Sequence, residues 1–257
     1  MSELYVRVTG DIAGAAIVFL HGGGLSSRMW QPQTENLTEF YCLAPDLPEH
    51  VHSAALKPFT LERAAAEIAR LIRERVPGAQ AHVVGLSIGA AVGLELLRTN
   101  PELVRRGILS GTTPKLGRGL VKMAELTNGP LLKLLTPKQL ATMTMKSQNI
   151  PTAYHDIFAD DLQHLNADLI NNVYGATAVS QLPQLPVPPT LVVVGEKEPG
   201  MSKKYARRIS DSIQGVEGRL VKGVGHTWNL EAPLLFNDTI RAWLTEKPLP
   251  PALRTFT

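Results

Sequence analysis

The feature that most narrows the fold is a repeated alternation of short, largely apolar runs with longer stretches of helical spacing. Ala16–Leu20 (AIVFL), Tyr41–Ala44 (YCLA), His82–Leu86 (HVVGL), Gly107–Ser110 (GILS), Thr190–Val194 (TLVVV) and Arg219–Val221 (RLV) read as strands. Several are apolar at every position, as expected of parallel strands covered on both faces. Leu4–Val8 reads as an antiparallel edge strand ahead of them. Between the strands, Thr60–Val76 carries Leu61, Ala64, Ala65, Ile68, Leu71 and Ile72 at helical spacing and is stopped by Pro77-Gly78. Ile88–Thr99, Ser202–Ile213 and Leu234–Thr245 are further helices. The alternation predicts an α/β fold with a doubly wound, mostly parallel sheet.

One stretch breaks the pattern. From about Pro114 to Gln184 there are only helical patterns, interrupted at Gly129-Pro130, Pro137 and Pro151, and then a proline-rich return, Leu182 to Pro189. This predicts a helical insertion over 114–185 in a core built from 1–113 and 186–257. A chain of 257 residues can bury enough surface to fold without disulfides, and its one cysteine, Cys42, can form none internally. Cys42 reads as a small buried residue near a strand end. The lone thiol fits a reducing compartment, and the expected location is cytoplasmic.

The net charge of +3 is too small to make a nucleic-acid footprint. Lys203, Lys204, Arg207 and Arg208 have the spacing of one solvated helix face. Glu3, Arg7 and Asp11 interrupt any signal-peptide pattern, and Ala15–Leu20 is far short of the roughly 20 residues of a membrane span. The expected partner is a small molecule, with no nucleic acid and no membrane span.

Gly85-Leu86-Ser87-Ile88-Gly89 fits G-x-S-x-G, and it lies between a strand and a helix. A serine at such a turn takes a strained backbone, flanking glycines permit close packing, and the hydroxyl is lifted above the sheet at a helix N-terminus. Ser87 is therefore the candidate nucleophile. His21-Gly22-Gly23-Gly24 directly follows strand AIVFL, where glycines allow a backbone N–H to approach a ligand. A tetrahedral oxyanion needs two such donors, and the N–H of Ile88 would supply the other. No Gly-Lys-Ser/Thr follows to make a phosphate loop. A serine hydroxyl needs a base, and among seven histidines His226, in Gly223-Val224-Gly225-His226, is the best candidate. The triad acid must orient that imidazole, and the turn Gly195-Glu196-Lys197-Glu198-Pro199-Gly200 offers both Glu196 and Glu198.

These motifs, in this order, resemble the α/β-hydrolase superfamily over nearly the whole chain. The segment His226-Thr227-Trp228-Asn229-Leu230-Glu231-Ala232-Pro233 is similar to the family's GHxxxxExP ending. The resemblance implies Ser87 as nucleophile, His226 as base, Glu198 as acid, and Gly23 with Ile88 as oxyanion donors, with the inserted helices as a cap over the site. In two places the chain departs from the family pattern. Glu198 stands where the acid turn usually has aspartate, and Glu49 and Val51 replace both glycines of the family's DLPGHGxS in Asp46–Ser53. Relatives that attack with aspartate, the haloalkane dehalogenases and epoxide hydrolases, are excluded by Ser87.

The resulting expectation is an esterase-like serine hydrolase. It would cleave a carboxylic ester of a small or medium apolar acyl group through an acyl-enzyme, with no cofactor and no metal. Leu120, Met123, Leu131, Leu132, Leu134, Leu135, Met143 and Met145 are the insertion's apolar side chains, and any facing Ser87 would form a deformable acyl pocket. The same triad also supports carbon–carbon bond hydrolysis, thioester cleavage or acyl transfer. A ligand-binding member with weak turnover is the reading from outside the enzymes.

Overall fold

The computed structural model describes residues 3–112, 117, 119, 122–123, 134–184 and 186–256. Its centre is an eight-stranded sheet of β1 (Val6–Gly10), β2 (Ala16–Leu20), β3 (Tyr41–Pro45), β4 (Ala81–Leu86), β5 (Val104–Ser110), β6 (Thr190–Gly195), β7 (Val216–Val221) and β8 (Leu253–Arg254). The order across the sheet is β1-β3-β2-β4-β5-β6-β7-β8. β2 to β7 run parallel, while β1 joins β3 and β8 joins β7 antiparallel.

The apolar runs are explained by burial on both faces. In β2, Val18 and Leu20 enter one core, with Ile68 and Ile72 of α1 (Leu61–Arg75), Val92 and Leu96 of α2 (Ile88–Thr99) and Ile209. Ile17 and Phe19 point into the other, against Trp30, Phe236, Ile240 and Trp243. That second core contains an aromatic chain: Phe19–Trp30 centroids lie 5.2 Å apart, Trp30–Phe236 5.7 Å and Trp228–Phe236 4.4 Å, distances at which rings attract beyond their burial. The helix ends follow local chemistry. Thr60 caps α1 by accepting the Arg63 N–H, and the chain leaves the helix at Val76, before Pro77.

Three α-helices of the chain between β5 and β6 have described bounds: α3 (Pro137–Ser147), α4 (His155–Leu162) and α5 (Ala167–Val179). Thr136 and Gln139 form a reciprocal capping box at the start of α3. Among the described residues this stretch contains no strand. The boundary residues Thr113, Pro114 and Leu185 lie outside the described residues, as do Gly129-Pro130, Leu120, Leu131 and Leu132. The core resumes with β6, α6 (Gly200–Ser212), β7 and α7 (Pro233–Leu244). No described helix is long and apolar enough to cross a membrane.

The differences from the sequence reading are local. β5 begins at Val104 rather than Gly107: Arg105 and Arg106 interrupt the apolar pattern, and the pairing with β4 shifts register across them, from Ala81–Val104 to Val83–Gly107. RLV is not the last strand. β8 follows it, pairing Leu253 with Val221, and two residues are too few to show a period. Cys42 is fully buried in β3, and burial pushes its thiol up to about 12.

His82, buried at the start of β4, has no hydrogen-bond partner at Nδ1. Burial, with the charges of Arg105 and Arg106, lowers it from 6.5 to about 4. The unfolded chain therefore binds one more proton than the folded chain between those values. The stability linked to His82 is complete above the unfolded value and is lost as pH falls towards the folded one, at about 1.4 kcal/mol per pH unit. Denaturant unfolding between pH 7 and 4 should show wild type losing stability more steeply than His82→Gln by roughly that slope. Equal slopes would refute the linkage.

Candidate active site

Ser87 sits where β4 turns into α2, with φ +59° and ψ −118°, and is half-buried. A non-glycine residue in this region is strained by about 1–3 kcal/mol and must be held by its surroundings. Its N–H donates to Ser110 O at 2.9 Å, and its carbonyl accepts from Ala90 N–H at 3.0 Å. The flanking glycines are required by space. A side chain at Gly85 would strike the backbone of Gly89, and one at Gly89 would strike the carbonyls of Leu20 and His21. The first turn of α2 therefore packs on the end of β2, the strand hydrogen-bonded to β4 through Leu20 and Gly85.

That packing carries the glycine turn to Ser87. A Cβ at Gly22 would lie 3.8 Å from the Ser87 Cβ, and one at Gly23 3.7 Å from Ile88 Cγ2 and 3.5 Å from Val173 Cγ1 of α5. His21 is buried beneath the turn. Its Nε2 accepts the Leu47 N–H at 2.8 Å, so its Nδ1–H donates to Gly22 O, also at 2.8 Å, and burial lowers its pKa and keeps it neutral.

His226 lies in the loop after β7 and is brought against the turn after β6. Its Nδ1–H donates to Glu198 Oε2 at 2.8 Å, while Glu198 Oε1 accepts the Gly195 N–H at 2.9 Å. The Glu198 side chain is 2% exposed and that of His226 28%, so the acid is enclosed and the ring reaches solvent. Glu196 is exposed and accepts the Gly223 N–H at 2.8 Å instead. The two loops are joined by backbone bonds from Glu196 N to Val221 O and from Lys197 N to Val224 O. Among the described residues no hydrogen bond joins the Ser87 hydroxyl to the His226 ring; the link is the end of β5, whose Ser110 holds Ser87 N–H, and the next residue, Gly111, which lies under the imidazole. Catalytic hydrogen bonds are often loose in free enzymes and tighten with substrate.

Several residues at the site have no counterpart in the sequence reading. Gly111 has φ +60°, and a Cβ there would approach His226 Cε1 to 2.6 Å. Glu231, quoted above only as part of a motif, accepts Gly225 N–H at 2.7 Å, Lys197 Nζ at 3.0 Å and Asn149 Nδ2 at 2.9 Å. Against the cost of burial, these donors hold its carboxyl below the usual range. Glu49 and Val51, where glycines would be expected, adopt φ +66° and +35°. The Glu49 carboxylate accepts the Phe59 N–H at 2.6 Å and Asn172 Nδ2 of α5 at 2.9 Å. Beside it His50 is buried and pushed down to about 3, chiefly by burial. Of the apolar residues read from the insertion, Met123, Leu134 and Met143 are exposed and Met145 is buried in the core. The side chains at the glycine turn are instead Val173, Leu162 and Leu165.

A model of the alpha/beta hydrolase family matches residues 17–239. An AB hydrolase superfamily protein of Gibberella zeae is 29% identical over 248 residues, covering 92% of this chain and 82% of that protein. An esterase of Mycobacterium tuberculosis is 36% identical over 113 residues, 43% of this chain and 36% of that protein. Among solved structures, a thermophilic esterase of Thermogutta terrifontis superposes with a TM-score of 0.79 over 95% of this chain and 93% of that one, at 21% identity, which is a likeness of fold.

Gly111→Ala should leave the chain folded, shift the His226 ring and lower turnover by about 10²-fold, the scale of an ångström-sized misplacement. Steady-state kinetics alongside a circular dichroism melt would measure this. Unchanged turnover would show that the ring tolerates the intrusion.

Proposed function

The chain belongs to the alpha/beta hydrolase family, and from that premise we propose that it is a serine esterase. It cleaves a carboxylic ester of a small or medium apolar acyl group through a covalent acyl-enzyme on Ser87. The observation that carries this reading is the Glu198–His226 hydrogen bond of 2.8 Å at the rim where Ser87 projects from its strained turn. With Nδ1 committed to Glu198, the proton-free nitrogen of His226 is Nε2, the tautomer a general base requires.

Ser87 Oγ attacks the ester carbonyl as its proton passes to His226 Nε2. The C=O π bond breaks to leave an oxyanion, which accepts hydrogen bonds from the Gly23 and Ile88 N–H groups. Glu198 stabilises the imidazolium but keeps no proton. Collapse breaks the bond to the alkoxy oxygen, which leaves as alcohol with the proton from His226. Water then adds to the acyl-enzyme with His226 again as base, releasing the carboxylic acid and restoring Ser87.

Val173, Leu162 and Leu165 support an apolar acyl group, since they surround the glycine turn with hydrocarbon. Helices α3 to α5 are assigned as a cap over 114–185, on a core of 1–113 and 186–257. The esterase of M. tuberculosis is a relative consistent with ester cleavage.

A fluorophosphonate probe should add its mass at Ser87 and nowhere in Ser87→Ala, and p-nitrophenyl acetate and butyrate should be turned over. Ser87→Ala or His226→Ala should lose at least about 10³-fold in kcat. Glu198→Ala should lose about 10²- to 10⁴-fold and Glu196→Ala little. Folded protein that resists the probe would overturn the reading, and activity lost in Glu196→Ala but kept in Glu198→Ala would overturn the choice of acid.

A further inference from the structure

The glycine turn is followed at once by Ser26, whose backbone and side chain are both engaged by a residue 135 positions later in the chain. Asp161, at the end of α4, accepts the Ser26 N–H at 2.8 Å and the Ser26 hydroxyl at 2.8 Å. Its other oxygen accepts Arg28 Nη2 at 2.6 Å. The Asp161 side chain is 0% exposed, and Ser26 is likewise buried. The neighbouring residue, Leu162, and Leu165 close over the same turn: a Cβ at Gly24, which has φ +74°, would lie 3.7 Å from Leu162 Cδ2 and 3.2 Å from Leu165 Cδ1. Ser26 in turn caps the short helix Ser27–Trp30, so the carboxylate, the cap and the glycine turn form one connected piece of backbone.

A buried carboxylate with three donors aimed at it is costly to leave half-satisfied. Here those donors belong to the segment that carries Gly23. Among the described residues the hydrogen bonds of the Asp161 carboxylate go to Ser26 and Arg28 and none to Ser87, His226 or Glu198, so Asp161 is given no part in proton transfer. Its bonds restrain the backbone on the far side of Gly23 from β2. The near side is already held by the ladder and by His21.

We propose that Asp161 is a positioning residue that clamps the Gly22–Ser26 turn from the inserted helices and so sets the Gly23 N–H for the oxyanion. The proposal rests on the reading of Gly23 as an oxyanion donor given above. It makes the inserted segment part of the catalytic geometry as well as a wall of the substrate site. A clamp of this kind acts on the transition state, where the oxyanion exists, and much less on substrate binding.

The test is Asp161→Asn, which keeps the shape but turns one acceptor into a donor, with Ser26→Ala as a milder variant that removes the hydroxyl's bonds to Asp161 and to the Arg28 N–H and keeps the backbone bond to Asp161. On p-nitrophenyl acetate and butyrate, Asp161→Asn should lower kcat by about 10- to 100-fold with KM within about twofold of wild type, by the same factor for both esters. Ser26→Ala should show a smaller loss of the same form. Hydrogen exchange by mass spectrometry should show the peptide spanning Gly22–Ser26 exchanging at least about tenfold faster in Asp161→Asn, with β4 unchanged. A loss confined to KM, or one that grows with acyl length, would overturn the proposal by making Asp161 a substrate contact. Unchanged exchange at Gly22–Ser26 would overturn it whatever the kinetics. If Asp161→Asn fails to fold, Ser26→Ala carries the same kinetic and exchange criteria. If wild type cleaves no ester, the serine-esterase reading falls by itself, and the exchange measurement alone decides the clamp.

Discussion

The strained turn at Ser87 is the constraint on which the surrounding structure depends. Its φ of +59° disfavours every residue with a Cβ, and the turn persists because the backbone on either side leaves no alternative. Gly85 and Gly89 are packed against one another's backbone, Gly89 also rests on the end of β2, and Ser110 O holds the Ser87 N–H. The strain is thus distributed over β2, β4 and β5, three hydrogen-bonded neighbours at the middle of the sheet. The same contacts leave the first N–H groups of α2 facing outward at a helix N-terminus, where negative charge is favoured.

Around this turn the site is assembled from strand ends that lie side by side. β2 contributes the glycine turn, β4 the serine, β5 the glycine beneath the imidazole, β6 the carboxylate and, one strand further, β7 the histidine loop. The chain crosses from β3 over β2 to β4, and open parallel sheets place their binding crevices at such reversals of strand order. Glutamate in place of aspartate is accommodated within this frame. The Gly195–Glu198 turn is closed by bonds to both the backbone carbonyl and the side chain, which brings Oε2 to 2.8 Å from the ring despite the extra methylene. Glu49 is a comparable case. It takes the left-handed backbone that a glycine would accept more easily, and its carboxylate makes bonds to Phe59 and Asn172 that no glycine could make.

The helices between β5 and β6 meet the core through buried apolar side chains such as Met145, Phe158, Leu162 and Leu169, and through a few polar bonds that fix their position. Asp161 reaches Ser26 and Arg28, Asn172 reaches Glu49, and Asn149 reaches Glu231, each attaching the segment to a different loop at the carboxyl end of the sheet. Directional bonds of this kind set position more sharply than apolar contact, because a buried polar group that slips from its partner loses the full cost of its desolvation. Apolar side chains exposed on the same segment, such as Leu134 and Met143, take no part in that attachment.

The local features were legible in the sequence because they are local. Apolar runs buried on both faces, a helix that starts one residue after the serine and a proline–glycine stop all follow from the properties of neighbouring residues. The motifs singled out Ser87, the Ile88 N–H and His226 as candidates, and the family resemblance added Gly23 and the choice of Glu198 over Glu196. What only the tertiary structure decided are relations between residues far apart in the chain. Glu196 and Glu198 share one turn and one chemistry, and burial separates them: one carboxylate is enclosed beside His226 and the other lies in solvent. Gly111 looked like an ordinary residue after a strand until His226 packed upon it. Asp161 and Ser26 carry no sign of each other, since 135 residues intervene and neither periodicity nor turn chemistry reaches that distance. Periodicity reports which face of an element is buried, whereas packing and strand order determine what it is buried against.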